Sequence, residues 1–300
     1  MSNRLILSKP SQLAALALLL LVGCNFASAA VDKVTSSTQL TLDTPSRAYP
    51  VETLLDVGIP TLNDGLYLTD EDDTVFPEVR YAEAIYFSNQ LGKVLEKSGA
   101  WGAIRVTPSS DVIMDLYISG TIHQSDGETM DLEITATDSS GKKWFTKRYE
   151  QTTGKYAYDR RLKSLGDPFQ NLFIRVANDL LSYREKKISD QRAEELRTIS
   201  ELRFAQQFSP EAFDNYIKEN RKGILSIARL PAENDSILMR VRKIRERDYL
   251  YIDRMQDYYD GFSQQMHLAY QDFRRSSYDS VVRARQLNKQ GNKQIISGIG

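Results

Sequence analysis

The chain has 300 residues, a formal net charge of −1 and 41% hydrophobic residues, so it can bury a substantial core. Its single cysteine, Cys24, excludes intrachain disulfides, CxxC redox pairs and multi-cysteine metal sites. It contains no HExxH, GxSxG or GxxxxGK(S/T) pattern, and the acidic run 70–73 lacks the glycine and spacing of a calcium loop. The sequence therefore predicts no enzyme activity, no cofactor and no metal site.

Residues 1–23 have the features of a signal peptide. Arg4 and Lys9 form a positive segment, and the apolar run over residues 13–22 is too short to span a bilayer. The run Leu21-Val22-Gly23-Cys24 that follows resembles the lipobox of bacterial lipoproteins. This resemblance implies that Cys24 receives a diacylglycerol and becomes the new N-terminus after cleavage.

The residue after the cysteine predicts in which of the two membranes the lipoprotein is anchored. In lipoproteins of enterobacterial type, Asp at this position commonly causes inner-membrane retention, whereas this chain has Asn25. The resemblance thus implies a protein anchored to the outer membrane through lipidated Cys24, on the periplasmic side. One alternative stays open. The small residues Ala27-Ser28-Ala29 also fit an ordinary signal-peptide cleavage site, which would release a soluble secreted chain.

Charge is distributed unequally along the mature chain. Residues 24–154 contain 10 Lys and Arg against 20 Asp and Glu, whereas residues 155–300 contain 27 against 20. With composition, this division predicts a flexible tether over 24–50, an acidic α+β domain over 51–184 and a basic helical domain over 185–300. Two interpretations remain: the halves dock on each other within one molecule, or the basic half faces an anionic partner.

The acidic segment begins with a predicted strand over residues 51–59. A helix follows over residues 81–98, with Gly99 as its left-handed C-cap, and a short strand over residues 101–107 comes next. Alternating apolar residues then predict three antiparallel strands. Their turns are Ser125-Asp126-Gly127-Glu128 and Ser139-Ser140-Gly141-Lys142.

A second helix opens at Asp167-Pro168 and places an apolar face toward the sheet. The predicted fold class is α+β, a small antiparallel sheet packed by helices and followed by an α-helical domain with a long C-terminal helix. After residue 184 we expect no strands, and a short helix begins at Ser209-Pro210. The long helix begins near Asp235 and runs about fifty residues.

The long helix carries a heptad-like seam of apolar and aromatic residues. Asp248 in the seam and Gly261 beside it favour a helical hairpin or bundle over a simple two-stranded coiled coil. Tyrosine and arginine are enriched at interface hot spots, so the helix also offers a partner-binding surface. Its predicted members are Arg247, Tyr251, Arg254, Tyr258, Phe262, Tyr270 and Arg274. The competing interpretation is that the tyrosines pack against neighbouring helices, while the arginines stay solvated or pair with Glu246, Asp253 and Asp257.

The stretch over residues 79–178 resembles uncharacterised proteobacterial envelope proteins. The resemblance rests on the run from Leu95 to Gly102, on Ser119-Gly120-Thr121-Ile122, on the turn at residues 125–128 and on Asp167-Pro168-Phe169-Gln170. It implies no catalytic residues. We therefore expect a non-catalytic scaffold or accessory subunit of an envelope assembly, which binds an envelope protein or itself through the long helix and binds no nucleic acid. The alternatives are a periplasmic module that binds a small molecule or lipid and, with less support, a cell-wall hydrolase.

Overall fold

The computed structural model describes the backbone of residues 31–35, 40–69, 75–158, 167–232 and 234–297, and the side chains of these residues except 31–35, 289 and 291–297. The predicted signal peptide, Cys24 and the acidic run 70–73 lie outside the described residues. Lipidation and export thus stay predictions.

The described residues form an α+β fold, which confirms the predicted fold class. The strands are β1 (Val31–Thr35), β2 (Val57–Pro60), β3 (Ile104–Thr107), β4 (Leu116–Ser125), β5 (Thr129–Asp138), β6 (Lys143–Thr152), β7 (Ile217–Glu219) and β8 (Leu225–Ile227). The α-helices are α1 (Pro77–Ser98), α2 (Gln170–Lys187), α3 (Asp190–Phe208), α4 (Pro210–Phe213) and α5 (Ser236–Ser297).

The larger sheet has the strand order β1-β6-β5-β4-β2-β3. Its centre is the predicted antiparallel meander β4-β5-β6, with turns at the two predicted positions. β2 lies parallel to both β3 and β4, and β1 lies parallel to β6. The strand predicted over residues 51–59 is shorter than expected, because Val51–Thr53 forms a 3-10 turn and only Val57–Pro60 pairs in the sheet.

Helices α1 and α2 cover one face of this sheet. Phe87, Leu91 and Leu95 of α1 are buried in one apolar cluster with Leu172 and Val176 of α2 and with strand residues. Each such side chain contributes about 2 kcal/mol through burial. α1 ends as predicted at Gly99, whose φ of 66° lies in the left-handed region that suits glycine.

Residues 40–50, here called the strap, lie along α2 and α3. Three N–H groups of the strap, three residues apart, each donate to one side chain of α2, and these side chains are seven residues apart. The bonds run from Leu40 to Asn171 at 3.0 Å, from Asp43 to Asn178 at 2.9 Å and from Ser46 to Glu185 at 2.8 Å. The two series stay in register because three extended residues and seven helical residues both advance about 10 Å. The predicted flexible tether is therefore wrong for these residues.

The chain after α2 contains strands that the sequence did not predict. β7 and β8 form a hairpin that packs with α3, α4 and the start of α5 in a second apolar cluster, which includes Leu202, Phe213 and Val241. The predicted helix at Ser209-Pro210 is only the four-residue α4. Strands of three residues are too short to give a readable alternation of apolar and polar positions.

The main core also crosses the predicted domain boundary between residues 184 and 185. Ala193 and Leu196 of α3 and Tyr270 of α5 belong to the same buried cluster as the sheet residues. Ion pairs join the two halves as well: Arg285 lies 2.6 Å from Asp126, and Arg105 lies 2.6 Å from Asp253. The acidic and basic halves thus dock on each other within one molecule, the first of the two interpretations of the charge division.

A candidate interaction surface on the long helix

α5 has a packed face and an exposed face. Phe262, Met266, Tyr270 and Phe273 of α5 pack against the main core. Beside them runs a row of further packed positions: Leu238, Val241, Arg245, Tyr249, Ile252, Gln256, Asp260, Ser263, His267, Gln271, Arg274, Tyr278 and Arg285. From Leu238 to Tyr278 these positions follow steps of three, four and four, a repeat of eleven residues in three turns. Such a repeat has about 3.67 residues per turn, close to an undistorted α-helix, so a straight helix can keep this face on the body.

The predicted heptad seam is wrong where it passes through the exposed side of α5. Tyr251 and Tyr258 are 68% and 79% exposed, and Ile237 is also exposed. Val241, Phe262, Met266 and Phe273 of the predicted seam do pack against the body. Many other packed positions are polar, so hydrophobic periodicity could not find them. Their signal would have been the eleven-residue spacing of hydrogen-bonding residues.

Gln256 fixes the middle of α5 to the edge strand β3. Its carboxamide oxygen accepts from the N–H of Val106 at 2.8 Å, and its nitrogen donates to the carbonyl of Val106 at 2.9 Å. This side chain satisfies the two backbone groups of Val106 as a neighbouring strand would. Because unpaired sheet edges are sites of unwanted pairing, the contact also protects this edge.

A buried charged network fixes the next part of α5. The hydroxyl of Tyr270 donates to the carboxylate of Glu83, and Arg80 pairs with Glu83 at 3.1 Å. Arg274 lies over the rings of Tyr270 and Phe169, at 4.2 and 4.5 Å from their centroids. Burial raises the pKa of Glu83, although Arg274 and hydrogen bonds from Tyr270 and Ser125 act in the opposite direction.

The predicted partner-binding residues divide between the two faces of α5. Tyr270 and Arg274 are 3% and 1% exposed, so their prediction as partner-binding residues is wrong because they are enclosed by the body of the same chain. Phe262 is half-buried and packs against the main core. This division matches the interpretation that some tyrosines pack within the molecule. The charged partners of Tyr270 and Arg274 come from distant elements, which explains why the sequence did not reveal their burial.

The other four predicted residues lie together on the exposed face. Arg247, Tyr251, Arg254 and Tyr258 follow steps of four, three and four, so they form one stripe along the helix. The stripe continues to Leu268, which is 75% exposed and was not predicted. Its continued three-and-four spacing is the sequence signal that could have identified it. These residues form an elongated surface of basic, aromatic and apolar side chains.

A cleft of about 640 Å³ lies between the residues that precede β2 and β4 and the helices α3 and α5. It is lined by Glu52, Asp56, Asp115, Glu194, Arg197, Thr198, Glu201, Arg242, Arg245, Glu246 and Tyr249. The lining is charged and polar. It differs in character from the apolar cavity that lipid binding requires.

Asp115 is the most buried carboxylate of the cleft. One of its oxygens accepts from the N–H of Asp56 at 2.9 Å, and the other accepts from the hydroxyl of Ser200. Arg245 of α5 lies 3.9 Å away. Burial raises the pKa of Asp115 against the effect of these hydrogen bonds. These contacts join the segment before β2 to α3 and α5. A raised carboxyl pKa in a cleft is also a feature of functional acids.

Within the described part of the chain, no group of three or more His, Cys, Asp and Glu side chains has an arrangement that could hold a metal ion. The same residues include no helix with the length and apolar character needed to cross a bilayer. His267 takes part in packing, because its Nδ1 lies 2.7 Å from the hydroxyl of Tyr86.

Comparisons with known proteins add no family to this description. No protein-family model, no curated protein and no solved structure was found to match the chain.

Proposed function

We propose that the chain is a lipid-anchored protein on the periplasmic side of the bacterial outer membrane, where it acts without catalysis as a scaffold or accessory subunit of an envelope assembly. Cys24 attaches it to the membrane in this proposal. The exposed face of α5, through Arg247, Tyr251, Arg254 and Tyr258, binds a protein partner.

One observation carries the proposal. α5 is held to the body by its packed face, while its exposed face presents two tyrosines that are 68% and 79% exposed beside exposed arginines. Tyrosine and arginine supply the anchors of many protein interfaces, and a helix that is fixed on one side loses little conformational freedom on binding. These features support a preformed surface for a protein partner.

The test is crosslinking in intact cells with the full-length chain. A photoreactive phenylalanine analogue replaces Tyr258, and a matched chain carries it at Tyr67, which is 71% exposed in a different element. We expect a reproducible protein adduct from position 258 and none from position 67. The proposal fails if position 258 gives no adduct while a known envelope complex is crosslinked in the same cells.

The anchor is tested separately. Mass spectrometry of the mature N-terminus distinguishes cleavage before Cys24, with a lipid on the cysteine, from cleavage after Ala29. A lipidated Cys24 and loss of membrane attachment in Cys24→Ala are the expected results. Because two or more acyl chains give stable membrane attachment, the lipidated chain should stay in the membrane fraction at high salt.

The charged cleft supports a second candidate function, the binding of a small polar ligand. Its volume of about 640 Å³ lies in the range of small-molecule sites, and it contains the buried carboxylate of Asp115. Native mass spectrometry of the protein taken from its own membrane tests this function. A bound small molecule that is lost in Glu201→Ala would favour ligand binding, whereas an unliganded mass would count against it.

A further inference from the structure

The exposed stripe of α5 extends further than the predicted partner-binding residues. It follows alternating steps of four and three over 33 positions, roughly 48 Å of helix. Its members are Arg247, Tyr251, Arg254, Tyr258, Gly261, Gln265, Leu268, Asp272, Arg275 and Asp279. The stripe therefore has the regular spacing of a helix-pairing seam. Its members from Arg247 to Leu268 lie on the side of α5 that faces away from the body, whereas Arg275 is half-buried and Asp279 pairs with Lys155 at 3.4 Å.

Gly261 lies at the centre of this stripe and has no role in packing within the chain. A Cβ atom built at this position would have no neighbour within 4 Å. Glycine in a helix interior is destabilising relative to alanine, so its presence here has a cost that the fold does not require. Small residues at helix surfaces allow another backbone to approach closely. Gly261 thus indicates the point of closest approach of a second helix.

Two copies of the stripe are complementary when the two helices are placed antiparallel. The facing pairs are Arg247 with Asp279, Tyr251 with Arg275, Arg254 with Asp272, Tyr258 with Leu268 and Gly261 with Gln265. Two pairs are oppositely charged, one places a guanidinium against an aromatic ring and one is apolar. Every position of the stripe has a compatible partner in this register. Within one chain, Asp272 also pairs with Arg275 at 3.0 Å and Asp279 with Lys155 at 3.4 Å, so these carboxylates would share their charge between the two partners.

We infer that α5 pairs antiparallel with α5 of a second copy of this chain, about a two-fold axis level with the midpoint between Gly261 and Gln265. This inference rests on the proposed function, since it names the partner of the same exposed face. Pairing by a two-fold axis uses one patch twice, which requires the self-complementarity described here. The two bodies then lie on opposite sides of the helix pair.

A parallel arrangement does not fit the same residues. It would place Arg254 against Arg254 and Asp272 against Asp272, and like charges at facing positions oppose pairing. An unrelated protein partner would not require the stripe to complement its own reverse. The distribution of charge along the helix therefore favours a second copy in antiparallel orientation.

Charge reversal tests the pairing in the full-length chain, with the crosslinked dimer fraction in cells as the readout. Arg254→Asp alone and Asp272→Arg alone each place like charges at two symmetric positions, so each should weaken pairing roughly tenfold. The double variant R254D/D272R restores opposite charges at both positions and should recover the dimer. Failure of the double variant to recover, with both single variants impaired, overturns the inference.

Disulfide formation between two differently tagged copies tests the orientation. A copy with Tyr258→Cys should crosslink to a copy with Leu268→Cys more than to another copy with Tyr258→Cys. Copies with Lys97→Cys, on α1, are the control for random collisions, and the parent chain controls for Cys24. A dominant 258–258 disulfide would show a parallel pair and overturn the inference.

The same assays separate this inference from the proposed function. If cysteine pairs give no disulfide above the Lys97→Cys control while the photoreactive group at position 258 captures a different protein, the inference fails and the proposed function stands. If neither assay gives an adduct, both fail. Gly261→Leu keeps the test independent of folding: because leucine has the better helix propensity, it should leave the thermal unfolding temperature of the dilute protein unchanged or higher, and it should reduce the dimer fraction. An unchanged dimer fraction in this variant also contradicts the inference.

Discussion

Replacing Gln256 with alanine tests the contact that fixes α5 to the edge of the sheet. The variant removes two hydrogen bonds to Val106, at 2.8 and 2.9 Å, and leaves both backbone groups of a residue that is 3% exposed without partners. Each lost bond costs about 1 kcal/mol, and unsatisfied buried groups raise that cost. The better helix propensity of alanine returns a few tenths of a kcal/mol. We expect the free energy of unfolding to fall by about 2 kcal/mol.

Urea unfolding followed by circular dichroism measures this change, and the midpoint should fall by roughly 1 M. Gln264→Ala is the matched control, because Gln264 is exposed on the same helix and the substitution changes helix propensity equally. The control should stay within about 0.5 kcal/mol of the parent chain. If Gln256→Ala and Gln264→Ala have equal effects, Gln256 does not hold α5 to β3 and the account of the packed face is refuted.

Three further predictions concern the buried network, the strap and the exposed face. Burial raises the pKa of Glu83, so the native state keeps this proton to higher pH than the unfolded chain does. The free energy of unfolding should therefore fall as pH rises through the native pKa, by up to about 1.4 kcal/mol per pH unit. Glu83→Gln should remove this contribution to the pH dependence of the free energy of unfolding, measured by urea titration at several pH values. Asn178→Ala loses its hydrogen bonds with the strap and should speed amide exchange there roughly fivefold without a comparable change in α2. Tyr258→Ala should change the free energy of unfolding by less than about 0.5 kcal/mol, whereas Phe262→Ala should lower it by about 2 kcal/mol, and equal effects would contradict the two-face description.

The sequence was sufficient for the meander and its covering helices because their patterns are local. Alternating apolar residues bounded by Asp126-Gly127 and Ser140-Gly141 identify β4, β5 and β6, since such turns are specified within four residues. The same is true of the end of α1 at Gly99, where one residue in the left-handed region stops the helix. These features depend on neighbours in sequence, which is why pattern analysis found them.

The strap and the polar positions of the packed face of α5 could not be predicted in this way, because both depend on polar contacts between distant parts of the chain. Residues 40–50 have no apolar period, yet their N–H groups meet side chains of α2 that lie more than 130 positions away. Gln256 reaches β3 across 150 positions. Hydrophobic periodicity detects burial that is driven by apolar area, whereas these contacts are made by hydrogen bonds.

The two faces of α5 also constrain each other. The eleven-residue repeat keeps the helix straight on its own body, whereas a seven-residue repeat pairs over its full length only if the helices supercoil. Two straight helices packed in this manner cross at about 20°. Compared with the distance between the helix axes at the two-fold axis, the axes then diverge by roughly 5 Å more at Asp272 and 8 Å more at Asp279. Pairs near Gly261 should therefore dominate self-association, and Arg254→Asp should weaken the dimer more than Arg247→Asp. Equal losses, measured as dimer fraction, would show that α5 bends away from the straight path its packed face requires.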